Sequence, residues 1–226
     1  MLIIFALFYF SEVYSFNMKK ETSKPNYNLE RDIGGVICGV DEVGRGPLAG
    51  PVIAAAVILD PANIPLHLND SKKLSAKKRQ ALNDIIIATA EYAYGEASLE
   101  EIDELNILHA SLLAMSRAVA NLPRKVDHVL VDGNKLPALD APATAVIKGD
   151  QKSVSIAAAS IIAKIKRDFL MKNLAKMHPE YGWERNSGYG TREHMEALSL
   201  VGPSRFHRKS FAPIRDLMTQ ENNIND

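Results

Sequence analysis

The chain has few of the residues that build disulfide-linked or zinc-stabilised domains. It contains one cysteine among 226 residues, so no intramolecular disulfide can form, and a reducing compartment is favoured. Cys38 lies in the apolar run 36–40, where a thiol behaves as a small buried hydrophobic side chain. The six histidines show no zinc-type spacing with one another or with Cys38. These shortages argue against a secreted disulfide scaffold and against a structural zinc site.

The chain also lacks a net charge, because 27 Lys and Arg residues balance 27 Asp and Glu residues. Any argument for nucleic-acid binding must therefore depend on where the charges lie. Basic residues cluster at 72–79 and again at 205–209, while acidic residues cluster at 96–104. This segregation fits a basic binding face, but solvated helix surfaces have the same pattern, and both interpretations stay open.

Long hydrophobic runs are scarce, and the one at residues 1–10, MLIIFALFYF, resembles a leader or an anchor. No positive charge precedes it, Glu12 follows closely, and the run is too short to cross a hydrocarbon layer of about 30 Å. We interpret residues 1–17 as an upstream extension with no part in the fold, with a membrane anchor as the alternative. We therefore expect no membrane partner and a cytoplasmic location.

What the chain does have is a hydrophobic content of 46%, which is enough for one large domain. Apolar periodicity predicts five strands and four principal helices. The strands are expected at 36–41, 51–59, 92–97, 127–131 and 143–147, and the helices at 75–90, 106–122, 154–177 and 191–200. Ser98 and Glu101 form a possible capping box before the second helix.

The glycine-rich segment GRGPLAG separates the first two strands and predicts a hairpin. A hairpin excludes an all-parallel sheet, so the order of elements predicts an α/β fold with a mixed sheet flanked by helices. We expect the domain to span residues 34–215. Residues 1–33 are predicted to be a disordered extension, and residues 216–226 a polar tail.

Acidic residues end three of the predicted strands: Asp41 with Glu42, then Asp132, then Asp150. Buried carboxylates are costly unless a cation compensates them, and Mg²⁺ prefers oxygen ligands of this kind. Because consecutive strand residues point to opposite faces, Asp41 and Glu42 can share a site only if the strand ends or bulges there. The competing interpretation is that these acids only form turns, as Asp before Gly often does.

Six separated blocks make the chain closely similar to bacterial ribonuclease HII, the type 2 ribonuclease H. The resemblance runs from about residue 36 to residue 214. The blocks are GVDEVGRGPLAGPVIAAAVIL (39–59), DSKKLS (70–75), VDGNKLP (131–137), KGDQKSVSIAAASIIAKIKRD (148–168), SGYGTREH (187–194) and GPSRFHRKSFAPI (202–214).

The resemblance implies a ribonuclease H-like fold with a C-terminal helical extension. It implies an endonuclease that hydrolyses the RNA strand of RNA–DNA hybrids and nicks 5′ to ribonucleotides embedded in duplex DNA. Two Mg²⁺ or Mn²⁺ ions would serve the reaction, which leaves 3′-hydroxyl and 5′-phosphate ends. The implied catalytic and metal-binding tetrad is Asp41, Glu42, Asp132 and Asp150. Asp168 competes for the fourth place, but it lies within a predicted helix where Lys164 or Arg167 can balance it.

The resemblance also assigns substrate contacts. Gly44, Arg45 and Gly46 would read the 2′-hydroxyl before an RNA-to-DNA step, and Tyr189 would stack beneath the following deoxyribose. From the sequence alone, Tyr189 is as readily a half-buried loop aromatic. The implied phosphate contacts are Lys72, Lys73, Arg208 and Lys209.

Two other readings compete with this one. The first is a related nuclease, such as ribonuclease HIII or a recombination nuclease on the same fold; the second is a hybrid-binding protein without catalysis. The tail DLMTQENNIND lacks the Gln and paired aromatics of a sliding-clamp peptide, so we expect no clamp tethering through it. We also expect a monomer.

Overall fold

A five-stranded mixed sheet forms the centre of the fold in a computed structural model, which describes residues 24–224. Its strands are β1 (Ile37–Val43), β2 (Val52–Ile58), β3 (Glu91–Ala97), β4 (His128–Asp132) and β5 (Ala143–Val146). They lie in the order β3-β2-β1-β4-β5. The β1–β2 and β2–β3 pairs are antiparallel, whereas β1–β4 and β4–β5 are parallel. The predicted opening hairpin and mixed sheet are confirmed.

Helices cover both faces of the sheet, and further helices follow at the C-terminal end of the fold. They are α1 (Asn28–Ile33), α2 (Ala76–Thr89), α3 (Leu99–Ala120), α4 (Val154–Met177), α5 (Trp183–Asn186), α6 (Arg192–Val201) and α7 (Ala212–Ile224). Short 3₁₀ helices occupy Ser71–Lys73, Gly149–Gln151 and Pro179–Tyr181. In the described part of the chain, no helix is long and apolar enough to cross a membrane.

The sheet buries a hydrophobic layer on each face. On one face α3 packs through Ala110, Ala114 and Ala118 against β-strand residues that include Val40 and Val131. On the other face α4 packs through a run of small residues, Ala157–Ala159 among them, and α2 packs through Leu82 and Ile86. Small side chains let α4 approach the sheet closely, as the sequence predicts. Cys38 is fully buried and unpaired, and burial raises its pKa to about 12.

A third hydrophobic cluster joins the C-terminal helices to the segment between β1 and β2. It contains Leu48 and Ala49 from that segment, Trp183 from α5, Leu198 from α6 and Ile214 from α7. The isolated bridge between Ala49 and His207 is antiparallel and adds backbone contact. The C-terminal extension is therefore packed directly against the glycine-rich turn.

The predicted domain boundaries are wrong at both ends within the described residues. Residues 26–33 are not a disordered lead-in, because Glu30 is buried and accepts hydrogen bonds from Ser153 Oγ at 2.6 Å and Ser155 N at 3.0 Å. At the other end, α7 continues to Ile224 through most of the predicted polar tail. The predicted extension 1–17 lies outside the described residues.

The second predicted principal helix begins earlier than residue 106. The capping box of Ser98 and Glu101 is present, and α3 starts at Leu99. Asn106 interrupts it with a non-helical backbone, φ 68°, and its side chain accepts a hydrogen bond from Leu108 N at 3.0 Å. Asn106 thus acts as an internal cap, which explains why the helical stripe in the sequence begins there.

Candidate active site

Asp41 and Asp132 lie on the two adjacent central strands of the sheet. β1 and β4 are parallel and stay in register as far as the pair Val40 and Val131, so the next residues on both strands are the two aspartates. Parallel strands bring their carboxyl ends to one sheet edge, where sites commonly form. Asp150 lies in the 3₁₀ helix after β5, and Gly149 N from that helix donates to Asp132 Oδ1 at 2.6 Å.

Glu42 reaches this region differently from the way the sequence suggests. β1 does not end or bulge at Asp41 but continues to Val43, so that expectation is wrong. Consecutive strand residues face opposite ways. Glu42 therefore turns toward Arg45, with Oε1 3.3 Å from the guanidinium Nη1, while its backbone N–H donates to Asp41 Oδ1 at 2.7 Å.

The pKa values of these acids show that they share one electrostatic environment. Burial is the largest cause of the raised pKa of Asp41, and Glu42, Asp132 and Asp150 raise it further. Burial also raises the pKa of Glu42 and of Asp132, and Arg45 opposes the rise at Glu42. Four carboxylates that each favour protonation lack sufficient positive charge in the protein itself.

Asp70 adds a fifth acid to the group, next to Asp150. Burial raises the pKa of Asp150 to about 6, helped by Asp70 and Asp132 and opposed by Lys72. Asp70 is buried and also caps the 3₁₀ helix Ser71–Lys73 by accepting from Lys72 N at 2.9 Å. Sequence reasoning did not single out Asp70; its position at the start of the DSKKLS block, next to two lysines, was the available signal.

Ser160 is a second residue near the acids that the sequence did not indicate. It belongs to the small-residue run of α4, and a hydrogen bond from its hydroxyl opposes the rise in the pKa of Asp41. The Ser160 and Ser71 hydroxyls lie 2.9 Å apart. Ser160 therefore connects Asp41 to the segment that carries Asp70 and Lys72, a contact between residues remote in sequence.

The donor chemistry of this group fits a divalent cation. Within residues 24–224, no three His, Cys, Asp or Glu side chains are gathered tightly enough to form a complete metal cage. Mg²⁺ is usually held by one or two carboxylates, with water and substrate phosphate as further ligands, and does not need such a cage. Burial raises the pKa of Asp41, Asp132 and Asp150, and repulsion from other acids adds to it at Asp41 and Asp150; a bound cation would favour the charged form of all three.

The glycine-rich turn lies beside Tyr189. Gly44 has φ 99°, a left-handed conformation that favours glycine. A Cβ at Gly46 would lie 3.2 Å from Tyr189 Cε1, so the tyrosine ring covers this glycine. Tyr189 is 44% exposed, which leaves the ring accessible from outside. Gly46 and Tyr189, which are 143 positions apart in the sequence, thus form one exposed surface together with Arg45.

Arg208 does not fit the predicted role of phosphate contact. It is fully buried, and its guanidinium donates to the carbonyl oxygens of Arg45 at 3.0 Å, Gly44 at 2.5 Å and Gly50 at 2.7 Å. Its hydrogen-bonding groups are occupied from inside the protein, so the prediction is corrected to a structural role. Burial lowers the pKa of Arg208 to about 9, with Arg167 adding to the shift.

Arg167 supports the same turn and was missed as a functional candidate. It too is fully buried, and it donates to Pro51 O at 3.0 Å, Ala49 O at 2.9 Å and Ser187 O at 2.9 Å. It therefore connects the glycine-rich turn to the loop that carries Tyr189. Sequence alone presented Arg167 only as a possible partner for Asp168.

The remaining predicted basic contacts lie on the surface. Lys72, Lys73 and Lys209 are exposed. Lys72 is close enough to Asp132 and Asp150 to oppose the rise in the pKa of both. Asp168, the competitor for the fourth acid, bonds instead to Lys164 Nζ at 2.6 Å. Asp168 contributes to none of the pKa shifts of the acidic group, whereas Asp150 does.

The fold and site define the class first: a mixed-sheet α/β protein of the ribonuclease H type, with an acidic centre at the carboxyl ends of its central strands. A crystal structure of ribonuclease H2 from Pyrococcus horikoshii OT3 superimposes with a TM-score of 0.69 at 27% identity, over 82% of this chain and 98% of that one. The ribonuclease HII in a PCNA complex from Archaeoglobus fulgidus gives 0.62 at 26% identity, over 76% and 93% of the two chains.

The family follows from the sequence comparison. The model of the ribonuclease HII family matches residues 38–214. Ribonuclease HII from Paramagnetospirillum magneticum is 57% identical over 198 residues, which cover 86% of this chain and 98% of the relative. Ribonuclease HII from Jannaschia sp. is 56% identical over 195 residues, with 86% and 98% covered. The chain belongs to the ribonuclease HII family and is an endoribonuclease acting on RNA–DNA hybrids.

This result selects among the readings that the sequence left open. The family match favours ribonuclease HII over ribonuclease HIII and over a hybrid-binding protein without catalysis. A crystal structure of Bst-RNase HIII with Mn²⁺ has a TM-score of 0.68, covering 83% of this chain and 70% of that one. Its identity is only 19%, so it shows the shared fold alone.

Proposed function

We propose that the enzyme cuts the RNA strand of RNA–DNA hybrids and also nicks duplex DNA 5′ to an embedded ribonucleotide, leaving 3′-hydroxyl and 5′-phosphate ends. The observation that carries this proposal is the placement of the acidic group next to the exposed surface of Arg45, Gly46 and Tyr189. Such an enzyme would serve in removing ribonucleotides and RNA primers from DNA.

The proposed catalytic residues and metal ligands are Asp41, Glu42, Asp132 and Asp150. The ribonuclease H family is divalent-metal dependent, which agrees with the donor set. Two Mg²⁺ or Mn²⁺ ions, when bound, would supply activation of the attacking water and stabilisation of the leaving 3′-oxygen. Asp41 would be the most central of the residues that hold the ions, since it lies on the central strand and its pKa responds to all three other acids.

The surrounding residues prepare these carboxylates. The backbone N–H of Gly149 holds Asp132, and the Ser160 hydroxyl favours the charged form of Asp41. Lys72 supplies positive charge beside Asp132 and Asp150, where it is also placed to attract a phosphate. Lys73 and Lys209 are proposed as further phosphate contacts from the surface.

The proposed reading of the substrate depends on the 2′-hydroxyl, the group that distinguishes RNA from DNA. The backbone of the turn Gly44–Gly46, in which Gly44 is buried and Arg45 and Gly46 are exposed, would bind that hydroxyl. The accessible ring of Tyr189 would stack against the next sugar. A 2′-hydroxyl on that next sugar would be crowded by the ring. Cutting would therefore be favoured at an RNA-to-DNA step.

The hydrolysis and its metal dependence can be tested on a uniform RNA–DNA hybrid with Mg²⁺, with Mn²⁺ and with EDTA. We expect cleavage only with a metal, and fragments that carry a 5′-phosphate and a 3′-hydroxyl that polymerase can extend. Cleavage in EDTA, or fragments with a 5′-hydroxyl, would contradict the proposed chemistry.

A further inference from the structure

Two buried histidines connect the C-terminal segment to the loop that carries Tyr189. His194 and His207 are 0% and 1% exposed, and their Nε2 atoms lie 3.0 Å apart. Trp183 Nε1 is 3.2 Å from His194 Nε2, and His194 Nδ1 is 2.9 Å from the carbonyl oxygen of Tyr189. The acidic group uses neither histidine.

The partners of the two rings fix where their protons lie. The backbone N–H of Ser204 donates to His207 Nδ1 at 2.9 Å, so that nitrogen carries no proton and His207 is protonated on Nε2. His194 Nε2 must then accept, both from His207 and from Trp183. The proton of His194 is left on Nδ1, from which it donates to Tyr189 O. Every contact in this series of hydrogen bonds then has one donor and one acceptor.

Both rings are neutral in this arrangement, in agreement with their burial. Burial lowers the pKa of His207 to about 4, and the neighbouring His194 adds to the shift. Burial also lowers the pKa of His194. A second proton on either ring would place two donors against each other, so the chain of hydrogen bonds requires the neutral forms.

This series of hydrogen bonds ends on the backbone of Tyr189, the residue whose ring faces Gly46. Tyr189 O accepts from His194 Nδ1 and from Thr191 N at 2.8 Å, while Tyr189 N donates to Asn186 O at 2.9 Å. The backbone is thus held on both sides while the ring remains 44% exposed. His194 therefore holds the backbone from which the ring projects, and its own side chain is fully buried.

The same short segment holds the other half of the substrate surface. His207 bonds to His194, and the next residue, Arg208, donates to the carbonyl oxygens of Gly44 and Arg45. The consecutive residues His207 and Arg208 therefore hold the Tyr189 loop and the glycine-rich turn to the same C-terminal segment. This arrangement fixes the distance between the turn and the ring.

We propose that His194 and His207 are positioning residues that set the preference for an RNA-to-DNA step by fixing Tyr189 relative to Gly44–Gly46. The inference rests on the proposed function of that surface. It makes the C-terminal extension a determinant of specificity as well as of stability.

The preference is measured as the ratio of kcat/KM on a DNA duplex with one ribonucleotide to kcat/KM on a uniform RNA–DNA hybrid. His194→Gln and His194→Asn are a matched pair. The Asn amide takes about the place of Nδ1 and can keep the bond to Tyr189 O, whereas the Gln amide reaches toward the place of Nε2 and loses it. We expect His194→Gln to lower the ratio by roughly threefold to tenfold, the effect of one hydrogen bond. His194→Asn keeps the bond to Tyr189 O but loses the contact with His207, so it should lower the ratio less than His194→Gln does.

A control variant separates positioning from general damage to the hydrophobic cluster. His178 packs against Tyr181, Trp183 and Phe206 but makes no bond to the two-histidine chain. His178→Asn should lower the melting temperature without changing the ratio. If a folded His194→Gln lowers kcat/KM equally on both substrates, or leaves the ratio unchanged, the inference is wrong.

The Tyr189→Ala background makes the test specific. Once the ring is gone, His194→Gln should lower the ratio no further, so the two effects should not add. Additive effects would overturn the positioning role. If Tyr189→Ala itself leaves the ratio unchanged, the proposed function of the surface has failed. If only the histidine variants leave it unchanged, the failure belongs to the inference alone.

Should His194→Gln fail to fold, the unaltered enzyme provides an independent readout. Nitrogen-15 NMR of its histidines at pH 7 should show His194 protonated on Nδ1 and His207 on Nε2. The opposite tautomers, or a charged ring, would overturn the hydrogen-bond chain on which the inference depends.

Discussion

At the scale of single residues, the site is a balance between buried acids and the few cations near them. Burial raises the pKa of Asp41, Asp132 and Asp150, and neighbouring acids raise it further at Asp41 and Asp150. Lys72 opposes the rise at Asp132 and Asp150, and Arg45 opposes it at Glu42. Residue type and strand position pointed to these acids, and the family resemblance selected Asp150 over Asp168. The contributions of Asp70 and Ser160 were not accessible, because they depend on contacts between segments far apart in the chain.

Asp150 and Asp168 give the sharpest comparison between two acids. Asp150→Asn should reduce cleavage by at least about 100-fold while retaining hybrid binding, since it removes a proposed metal ligand. Asp168→Asn should keep substantial activity, because Asp168 bonds to Lys164 and lies outside the acidic group. Single-turnover cleavage with a parallel binding assay measures both. The reverse pattern would make Asp168 the fourth acid.

The raised pKa of Asp150, about 6, also predicts a pH-dependent stability difference. An Asp whose pKa is raised by folding binds more protons in the folded state, so its ionisation destabilises the fold as pH rises through about 6. In EDTA at pH 7.5, Asp150→Asn should therefore melt about 2–4 °C above the unaltered enzyme, for about 1 kcal/mol after solvent screening.

At pH 4 this advantage of Asp150→Asn should disappear, since the native Asp150 is then protonated too. Comparing the two proteins at each pH cancels the opposite effect of His207, whose lowered pKa makes the fold lose stability as pH falls below 6.5. Melting curves across this range measure the difference. An advantage that is constant with pH would show that Asp150 is not under acidic repulsion.

At the scale of elements, the sequence predicts regular segments well and their connections poorly. Strands and helices with a clear apolar period were found near their observed bounds, and the hairpin followed from GRGPLAG. The helix α1 was missed because residues 24–33 carry no apolar stripe. Their order comes from Glu30, a charged residue that is buried against Ser153 and Ser155 at the start of α4.

This contact predicts different outcomes for two truncations. Removing residues 1–17 should change neither melting temperature nor activity. Removing residues 1–33 also deletes Glu30, whose carboxylate bonds to Ser153 and Ser155. The loss of a charged, buried hydrogen bond of about 2 kcal/mol should lower the melting temperature by about 4–8 °C. Equal melting of both truncated proteins would contradict the structural role of α1.

Activity should follow the same order, because α4 begins just after Asp150. The backbone of Asn26 pairs with that region, donating to Lys152 O at 3.1 Å and accepting from Val154 N at 3.3 Å. Loss of residues 1–33 therefore loosens the segment that places Asp150.

At the scale of the whole molecule, the proposed enzyme combines an acidic centre with a separate surface that selects where it acts. The class of fold and the acidic positions followed from sequence blocks alone. The common support of the turn and the Tyr189 loop by Arg167, His207 and Arg208 did not, since it arises only when the C-terminal extension folds back. The same folding explains why Arg208, part of a basic run, is unavailable to phosphate.

Clamp tethering, oligomeric state and location concern the molecule in its cell. The complex with PCNA is a property of the ribonuclease HII from Archaeoglobus fulgidus. For this chain, the absence of a clamp peptide in the tail, a monomeric state and a cytoplasmic location stay predictions from the sequence.

The central claim is tested most directly with a DNA duplex that carries a single ribonucleotide. The strand is labelled at its 5′ end and incubated with the enzyme, with and without Mg²⁺ or Mn²⁺, beside an all-DNA duplex of the same sequence. We predict one metal-dependent nick immediately 5′ to the ribonucleotide, none in the all-DNA control, and a strong loss with Asp150→Asn. No metal-dependent nick, or cutting at another position, would contradict the account.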